Sequence, residues 1–223
     1  MSGKIIKPAE IEAESMRIID GELRKRGAVL SEDTAPLIRR AIHTTADFDY
    51  ADSLCFSADA VRHGLEALRR GVPIITDTNM LRVGISRPGL DKLGSQALCF
   101  MAEPDVAEAA AREGITRAAA SVHKAVQSYP GAIYASGNAP TALMTLSEYI
   151  RDGLRPALVI AVPVGFVNVV EAKEEIIACC EECGVPVIAA RGRKGGSNVA
   201  AALCNALIYA AIGATDPHRR MPG

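Results

Sequence analysis

The chain has 223 residues, of which 49% are hydrophobic and 23% charged, with 25 Lys and Arg against 26 Asp and Glu. This composition is typical of a globular protein and excludes a disordered or fibrous one. The formal net charge is −1, Trp is absent and aromatic residues make up 4%. The sequence therefore offers neither the basic patch nor the stacking platform that nucleic-acid binding requires.

Neither export nor membrane insertion is expected from the apolar pattern. The first ten residues contain no apolar core of a secretory signal. The longest apolar stretch, residues 156–170, contains Pro163 and Gly165 and is too short to cross a bilayer. We therefore expect a cytoplasmic protein with no membrane partner, whose six cysteines are thiols.

Three helices are predicted ahead of the first strand, at about residues 8–27, 31–43 and 57–70. Ser31 is the expected N-cap of the second helix, because Glu32 and Asp33 would then lie in its first turn and favour the helix dipole.

Five short apolar runs predict strands that are buried on both faces, because their apolar residues are continuous rather than alternating. The runs cover residues 73–77, 97–101, 132–136, 157–162 and 186–190. Helical stretches are predicted at about 104–113, 116–128, 138–151, 168–182 and 197–211. This alternation predicts a three-layer α/β/α fold, doubly wound around a mainly parallel sheet of about five strands. We expect one domain over residues 1–223, with a frayed tail from about residue 214.

Four of the five predicted strands end in a turn rich in Gly and Asn that opens a helix. In doubly wound folds ligands bind at these strand ends, glycine lets the backbone approach a ligand, and helix N-termini favour anions. Ordinary turn and cap chemistry explains any one of these turns equally well, but four together favour a wide, polar, anion-tolerant pocket. Its candidate residues are Asn79, Gly137, Asn138, Gly165, Asn168, Gly195, Gly196 and Ser197.

The last of these turns is also basic. Arg191, Arg193 and Lys194 precede the Gly-Gly-Ser of residues 195–197. The spacing matches neither a P-loop nor a dinucleotide-binding fingerprint, so the indication of a nucleotide site is weak. A loop that binds carboxylates through Lys194 fits the residues equally well.

His43 lies at the predicted C-terminus of the second helix, where Thr44, Thr45 and Asp47 could orient its ring. A helix C-terminus stabilises the imidazolium, so we expect a raised pKa and a histidine able to donate a proton. A lone histidine is more often structural than catalytic, and the pattern alone leaves both interpretations open.

Ser15 and Arg117 are unusual for their positions. Ser15 interrupts an apolar stripe between Ile11 and Ile19, so its hydroxyl either bonds back to the helix backbone or faces a pocket. Arg117 follows the expected cap Thr116 at a helix start, where a cation opposes the helix dipole unless an anion lies nearby.

A Cys-x-x-Cys motif at Cys180 and Cys183 lies at the end of its predicted helix, whereas redox motifs open a helix. No second such motif completes a zinc site, so no metal is expected.

Read together, these segments resemble the precorrin-8X methylmutase family, including its cobalt-precorrin-8 branch, over residues 11 to about 210. The motifs that carry the resemblance are ESMRII (14–19), AIHTTADFDYAD (41–52), ITDTNM (75–80), GITRAAAS (114–121), ASGNAPTAL (135–143), PVGFVNVVEAKE (163–174) and RGRKGGSNVAAALCNAL (191–207). The pattern does not separate the two branches.

The resemblance implies a flavodoxin-like fold, a homodimer and an isomerase of cobalamin biosynthesis. The implied reaction moves a methyl group from C-11 to C-12 of the tetrapyrrole and gives hydrogenobyrinate or its cobalt counterpart. It implies no cofactor, since any cobalt is carried by the substrate. It also assigns His43 as proton donor and acceptor and Ser15 and Arg117 as substrate contacts, with the strand-end turns forming the rest of the pocket.

Two other functions fit the residues. The same pocket would serve a carrier that binds a tetrapyrrole without converting it, and turnover separates that carrier from an enzyme. A nucleotide-dependent transferase could use the loop at 191–197, and ATP or NAD would then protect the protein against thermal unfolding.

Overall fold

The structure is a computed structural model, and it describes residues 8–215. Within this range the chain alternates helices with short strands. The helices are α1 (Pro8–Lys25), α2 (Ala35–Thr45), α3 (Tyr50–Ser53), α4 (Ala60–Arg69), α5 (Asn79–Gly84), α6 (Arg87–Lys92), α7 (Pro104–Glu113), α8 (Arg117–Ser128), α9 (Pro140–Arg151), α10 (Val169–Cys183) and α11 (Ser197–Ala211). The strands are β1 (Leu54–Phe56), β2 (Ile74–Thr76), β3 (Ala97–Leu98), β4 (Ile133–Ser136), β5 (Leu158–Ala161) and β6 (Val187–Ala190).

The strands form one sheet in the order β1-β6-β5-β4-β2-β3. The five strands from β2 to β6 are parallel, and read from β3 their order is 2-1-3-4-5, which is the flavodoxin-like order. The strand β1 is added antiparallel to β6, with Leu54 opposite Ala190. The three-layer, mainly parallel fold predicted from the sequence is confirmed.

Side chains alternate between two apolar layers on the faces of the sheet. On β4, Ile133 and Ala135 pack into one layer, which α1, α2, α4 and α11 cover. Tyr134 packs into the other layer, which α7, α8, α9 and α10 cover. Burial on both faces is why the strands are continuous apolar runs.

Several details differ from the sequence-based expectation. The sheet has six strands within the described residues rather than about five, because β1 is an antiparallel edge strand whose apolar run of three residues is too short to predict a strand. The helices α3, α5 and α6 were not expected, and each has six residues or fewer. The prediction of Ser31 as N-cap is wrong: α2 begins at Ala35, with Thr34 as its cap and Pro36 in its first turn. A helix beginning at residue 32 would put proline in its interior, where its missing N–H and its ring are destabilising.

Of the predicted tail, residues 216–223 lie outside the described part of the chain. Ala214 is still buried, and its N–H donates to the carbonyl of Tyr209 at 2.8 Å. Among residues 8–215, no helix combines the length and the apolar content that crossing a membrane requires.

Candidate functional site

The sheet has its topological switch point between β2 and β4, where the strand order reverses. We call the side of the sheet formed by the C-terminal ends of β2, β4, β5 and β6 the carboxyl edge. At the switch point the buried carboxylate of Asp77 follows β2 and accepts four hydrogen bonds from the last residue of β4 and the turn after it. The donors are the Ser136 hydroxyl at 2.9 Å and the backbone N–H groups of Gly137, Asn138 and Ala139 at 3.1, 2.7 and 2.7 Å.

The turns after β2, β4 and β6 contact one another directly. The hydroxyls of Thr78 and Ser197 are hydrogen-bonded at 2.9 Å, and Thr78 also caps α5 by accepting from the N–H of Leu81. A Cβ on Gly137 would lie 2.6 Å from the Cα of Ser197. Only glycine allows this close approach, so the predicted candidates Gly137 and Ser197 are brought together at one point.

The turn after β5 joins the same cluster. The N–H of Gly196 donates to the carbonyl of Val162 at 2.9 Å, and a Cβ on Gly195 would lie 2.1 Å from that carbonyl oxygen. Gly165 has a φ of 153°, and its N–H donates to the carbonyl of Arg193 at 3.3 Å. Asn168 takes the left-handed conformation, with a φ of 56°, as the N-cap of α10.

Polar and apolar groups are both exposed around these turns. Asn79 opens α5 and accepts from the Arg82 side chain at 3.1 Å, while Asn138 is exposed after β4. Phe166 and Val167 in the β5–α10 turn are 84% and 78% exposed. An edge that presents amides beside apolar side chains suits a ligand with an apolar body and a polar rim.

Residues 191–196, which we call the glycine-rich loop, connect β6 to α11. The ammonium of Lys173 on α10 is buried beneath this loop and donates to the carbonyls of Gly192 and Lys194, each at 2.8 Å. Burial lowers the pKa of Lys173 to about 8. The exposed ammonium of Lys194 donates to the carboxylates of Asp47 and Asp49, each at 2.6 Å.

Those two ion pairs connect the carboxyl edge to residues 43–49, which we call the histidine segment. Hydrogen bonding to Lys194 lowers the pKa of Asp47, and the two carboxylates raise the pKa of Lys194. His43 and Thr44 are exposed in the last turn of α2. Thr45 donates to the carbonyl of Ala41 at 2.8 Å and accepts from the N–H of Asp47 at 3.2 Å, so its hydroxyl stabilises the end of the helix.

Ser15 lies on α1, which packs against α2. Ion pairs of Arg39 with Asp20 at 2.5 Å and of Arg40 with Glu12 at 2.6 Å join the two helices. The histidine segment is contacted from just beyond the C-terminal end of α1, where the Arg26 guanidinium lies 4.6 Å from the ring centroid of Phe48. The Ser15 hydroxyl is half-buried and donates to the carbonyl of Ile11 at 2.8 Å, which is the back-bond expected of a serine within a helix.

Arg117 is exposed at the start of α8, directly after its N-cap Thr116. The Thr116 hydroxyl is hydrogen-bonded at 2.9 Å to that of Thr141, in the first turn of α9. Because α9 begins directly after the switch-point turn, Arg117 also lies at the carboxyl edge. Among residues 8–215 it forms no ion pair, so its charge is available to an anionic ligand.

Two residues of this edge were not singled out in the sequence. Asp77 could have been found as an acidic residue directly after a buried strand. Lys173 could have been found as a lysine within a largely apolar helix. The cysteines are free thiols, and burial raises the pKa of Cys180 to about 12 at the far end of α10. The described residues contain no group of His, Cys, Asp and Glu arranged to hold a metal ion.

Fold and edge together define a doubly wound α/β protein whose carboxyl edge presents helix N-termini, amides and the exposed Arg117 around the switch point. Comparison with known proteins identifies the family. A model described as "CbiC: Precorrin-8X methylmutase" matches residues 10–210, and the chain belongs to this family of isomerases, which move a methyl group within one molecule.

Relatives and solved structures agree with this assignment. The chain is 43% identical to the cobalt-precorrin-8 methylmutase of Salmonella typhimurium, over 92% of this chain and 96% of that protein. It is 37% identical to the precorrin-8X methylmutase of a Sinorhizobium species, over 79% and 83%. The crystal structure of a precorrin-8X methylmutase from Thermus thermophilus superposes with a TM-score of 0.81 at 42% identity, covering 91% and 98% of the two chains.

Proposed function

We propose that this chain acts in cobalamin biosynthesis and moves the methyl group on C-11 of precorrin-8X or cobalt-precorrin-8 to C-12, giving hydrogenobyrinate or cobyrinate. The observation that carries the proposal is the link between the carboxyl edge and the histidine segment. Lys194 of the glycine-rich loop reaches Asp47 and Asp49, four and six residues after His43, at 2.6 Å each. A binding edge and a proton donor therefore belong to one site.

The substrate is an apolar macrocycle with a rim of carboxylates, and the edge offers groups for both parts. The N-termini of α9, α10 and α11 open at the carboxyl edge and favour anions. Arg117 and the exposed amides can bind carboxylates, while Phe166 and Val167 offer apolar surface. The proposed binding residues are Ser15, Thr44, Thr45, Asn79, Arg117, Gly137, Asn138, Gly165, Asn168, Gly195, Gly196 and Ser197.

His43 is the proposed proton donor and acceptor. Methyl migration shifts charge within the ring system, and a proton from His43 on a ring nitrogen or carbon that gains electron density lowers the barrier. Fixed geometry supplies much of the remaining acceleration, since the migrating group must stay over one face. The raised pKa expected for His43 stays a prediction.

No redox cofactor takes part in this scheme, and cobalt enters only with the substrate. A homodimer is proposed on the resemblance, and a cytoplasmic location is proposed from the apolar pattern of the sequence. A nucleotide-dependent function is not supported by the glycine-rich loop: the carbonyls of Gly192 and Lys194 bind Lys173, whereas a phosphate-binding loop presents N–H groups to its ligand.

The test is the visible absorption spectrum of the protein incubated with precorrin-8X and, separately, with cobalt-precorrin-8, because migration changes the conjugation. We expect conversion by the wild type and a rate about 10²–10⁴-fold lower for His43→Ala, the usual contribution of a general acid or base. His63→Ala is the matched control, because His63 bonds to the carbonyl of Asp59 at the start of α4. Full turnover by His43→Ala removes its assigned role.

The same spectra show to which branch of the family the chain belongs and whether it is an enzyme or a carrier. The substrate that is converted faster identifies the branch to which the chain belongs. Binding of both substrates without any spectral change supports the non-catalytic carrier instead of the isomerase.

A further inference from the structure

The glycine-rich loop is held from two opposite directions by lysines. From beneath, the Lys173 ammonium bonds to the carbonyls of Gly192 and Lys194, each at 2.8 Å. From the other side, the Lys194 ammonium bonds to Asp47 and Asp49, each at 2.6 Å. Backbone and side chain of the same residue, Lys194, are therefore fixed by different parts of the fold.

The contact of Lys173 with the loop carbonyls is energetically costly to form, because it buries an ammonium group. Lys173 has no exposed surface, and burying an ammonium is unfavourable unless its donors are bound. Within the described residues its hydrogen bonds go to two loop carbonyls rather than to a carboxylate. Carbonyls spaced two residues apart must both point inward, so this contact selects one conformation of the loop.

The upper contact acts at the end of α2. Ala46 ends this helix in the left-handed conformation, with a φ of 55°, and the chain then turns through Asp47 to Asp49. The N–H of Asp49 donates to the carboxylate of Asp47 at 3.0 Å, which holds the two acidic residues in one turn. Lys194 thus joins the glycine-rich loop to the turn that directly follows α2, the helix that carries His43.

We infer that Lys194 is a positioning residue: braced by Lys173, it holds the glycine-rich loop against the histidine segment and does not serve as a ligand for a substrate carboxylate. The inference rests on the proposed function only in assigning His43 and the loop to one active site. Ion pairs between exposed groups contribute little to global stability, and the Lys194 side chain is 48% exposed. Its loss should therefore affect the geometry of the site more than the folding of the chain.

Kinetic measurements distinguish a positioning role of Lys194 from a role in binding a substrate carboxylate. As a positioning residue, Lys194 acts only through its acidic partners. Lys194→Met and the double variant Asp47→Asn/Asp49→Asn should then each lower kcat by about tenfold or more, with KM changed less than about threefold. The variant combining all three changes should be no slower than either, because all of them break the same contact. Lys194→Arg should restore most of kcat, since an exposed guanidinium can pair with both carboxylates.

Hydrogen–deuterium exchange gives a second readout that needs no substrate. Lys194→Met and Asp47→Asn/Asp49→Asn should both raise exchange in residues 191–196 and in residues 44–49, because each variant releases both segments. Lys124→Met is the matched control, since Lys124 also bridges two carboxylates, those of Glu103 and Asp105, away from this loop. It should leave kcat and the exchange of both segments unchanged.

Three outcomes overturn the inference. A Lys194→Met enzyme with an unchanged kcat and a raised KM would mean that the ammonium binds substrate. Additive losses in the triple variant would mean that Lys194 and the two aspartates act separately. Exchange that rises in only one of the two segments would mean that they are not held together. Absence of turnover by the wild type would count against the proposed function alone, because the exchange comparison still tests the contact.

Discussion

The glycines at the two ends of the parallel strands have opposite surroundings. A Cβ added to Gly131, Gly153 or Gly184, in the turns ahead of β4, β5 and β6, would meet nothing within 4 Å. After β4 and β6, a Cβ on Gly137 or Gly195 would lie less than 3 Å from the backbone of another turn, although Gly192 has open space. At one edge glycine only shapes a turn, while at the carboxyl edge it lets separate turns touch. This difference marks the edge on which the candidate site is built.

The largest difference between the two edges is expected from a substitution of Asp77, whose buried carboxylate lies at the carboxyl edge. In Asp77→Asn an amide replaces one of the two acceptor oxygens, so at least one of the four donors loses its partner and faces an N–H group. An unsatisfied buried donor costs about 1–3 kcal/mol, and loss of a charged acceptor costs more, so we expect about 3 kcal/mol less stability by urea unfolding. Turnover should fall with it, because the switch-point turn loses its anchor.

Asp152→Asn is the control for this prediction. Asp152 is exposed just after α9, at the opposite edge of the sheet, so the change should alter stability by less than about 0.5 kcal/mol. Equal effects of the two substitutions would remove the distinction between the edges.

A smaller effect is expected from adding one methyl group at each edge. Gly137→Ala places a Cβ 2.6 Å from the Cα of Ser197, and backbone cannot yield as the end of a side chain can. We expect a loss of about 1–3 kcal/mol, as for other overpacked sites, and a strong loss of turnover, because the turns after β4 and β6 are forced apart. The measurements are urea unfolding and the conversion assay.

Gly131→Ala is matched to it, because Gly131 has open space and an ordinary φ. It should be neutral, or slightly stabilising through a restricted unfolded chain. A neutral Gly137→Ala enzyme with full activity would show that the close approach of these two turns is dispensable.

Much of the fold follows from local pattern. Continuous apolar runs such as Val187–Ala190 and Leu158–Ala161 identify strands covered on both faces, and the helices between them follow. The edge strand β1 was missed because its three residues carry too little pattern, and its pairing with Ala190 is a contact between distant parts of the chain. Thr34 rather than Ser31 caps α2 because Pro36 fixes where the helix can begin.

The site was predicted as a set of turns, and its connections were not. Gly and Asn after each strand are visible in the sequence, so Gly137 and Asn138 could be chosen without a structure. That Lys194 binds Asp47, or that Lys173 lies beneath the loop, depends on residues 147 and 21 positions apart. No periodicity reports such a pairing. The motif resemblance covered the same segments without revealing which of them touch.

The smallest effect concerns the buried lysine and is a dependence on pH. Burial lowers the pKa of Lys173 to about 8 from an ordinary value near 10.5. Between these values the unfolded chain binds a proton that the folded chain does not, so the contribution of Lys173 to stability rises with pH. Relative to Lys173→Met, the wild type should gain about 1 kcal/mol between pH 7 and pH 9. Thiols such as Cys204, whose pKa is raised to about 12, titrate alike in both proteins and cancel in the difference.

Urea unfolding at pH 7, 8 and 9 measures this gain in stability, with the exposed Lys92→Met as the control that should show no such gain. Parallel profiles for the wild type and Lys173→Met would mean that the ammonium is not destabilised under the loop. Because a neutral amine still donates to both carbonyls, the glycine-rich loop should keep its conformation, and the enzyme its activity, across this range.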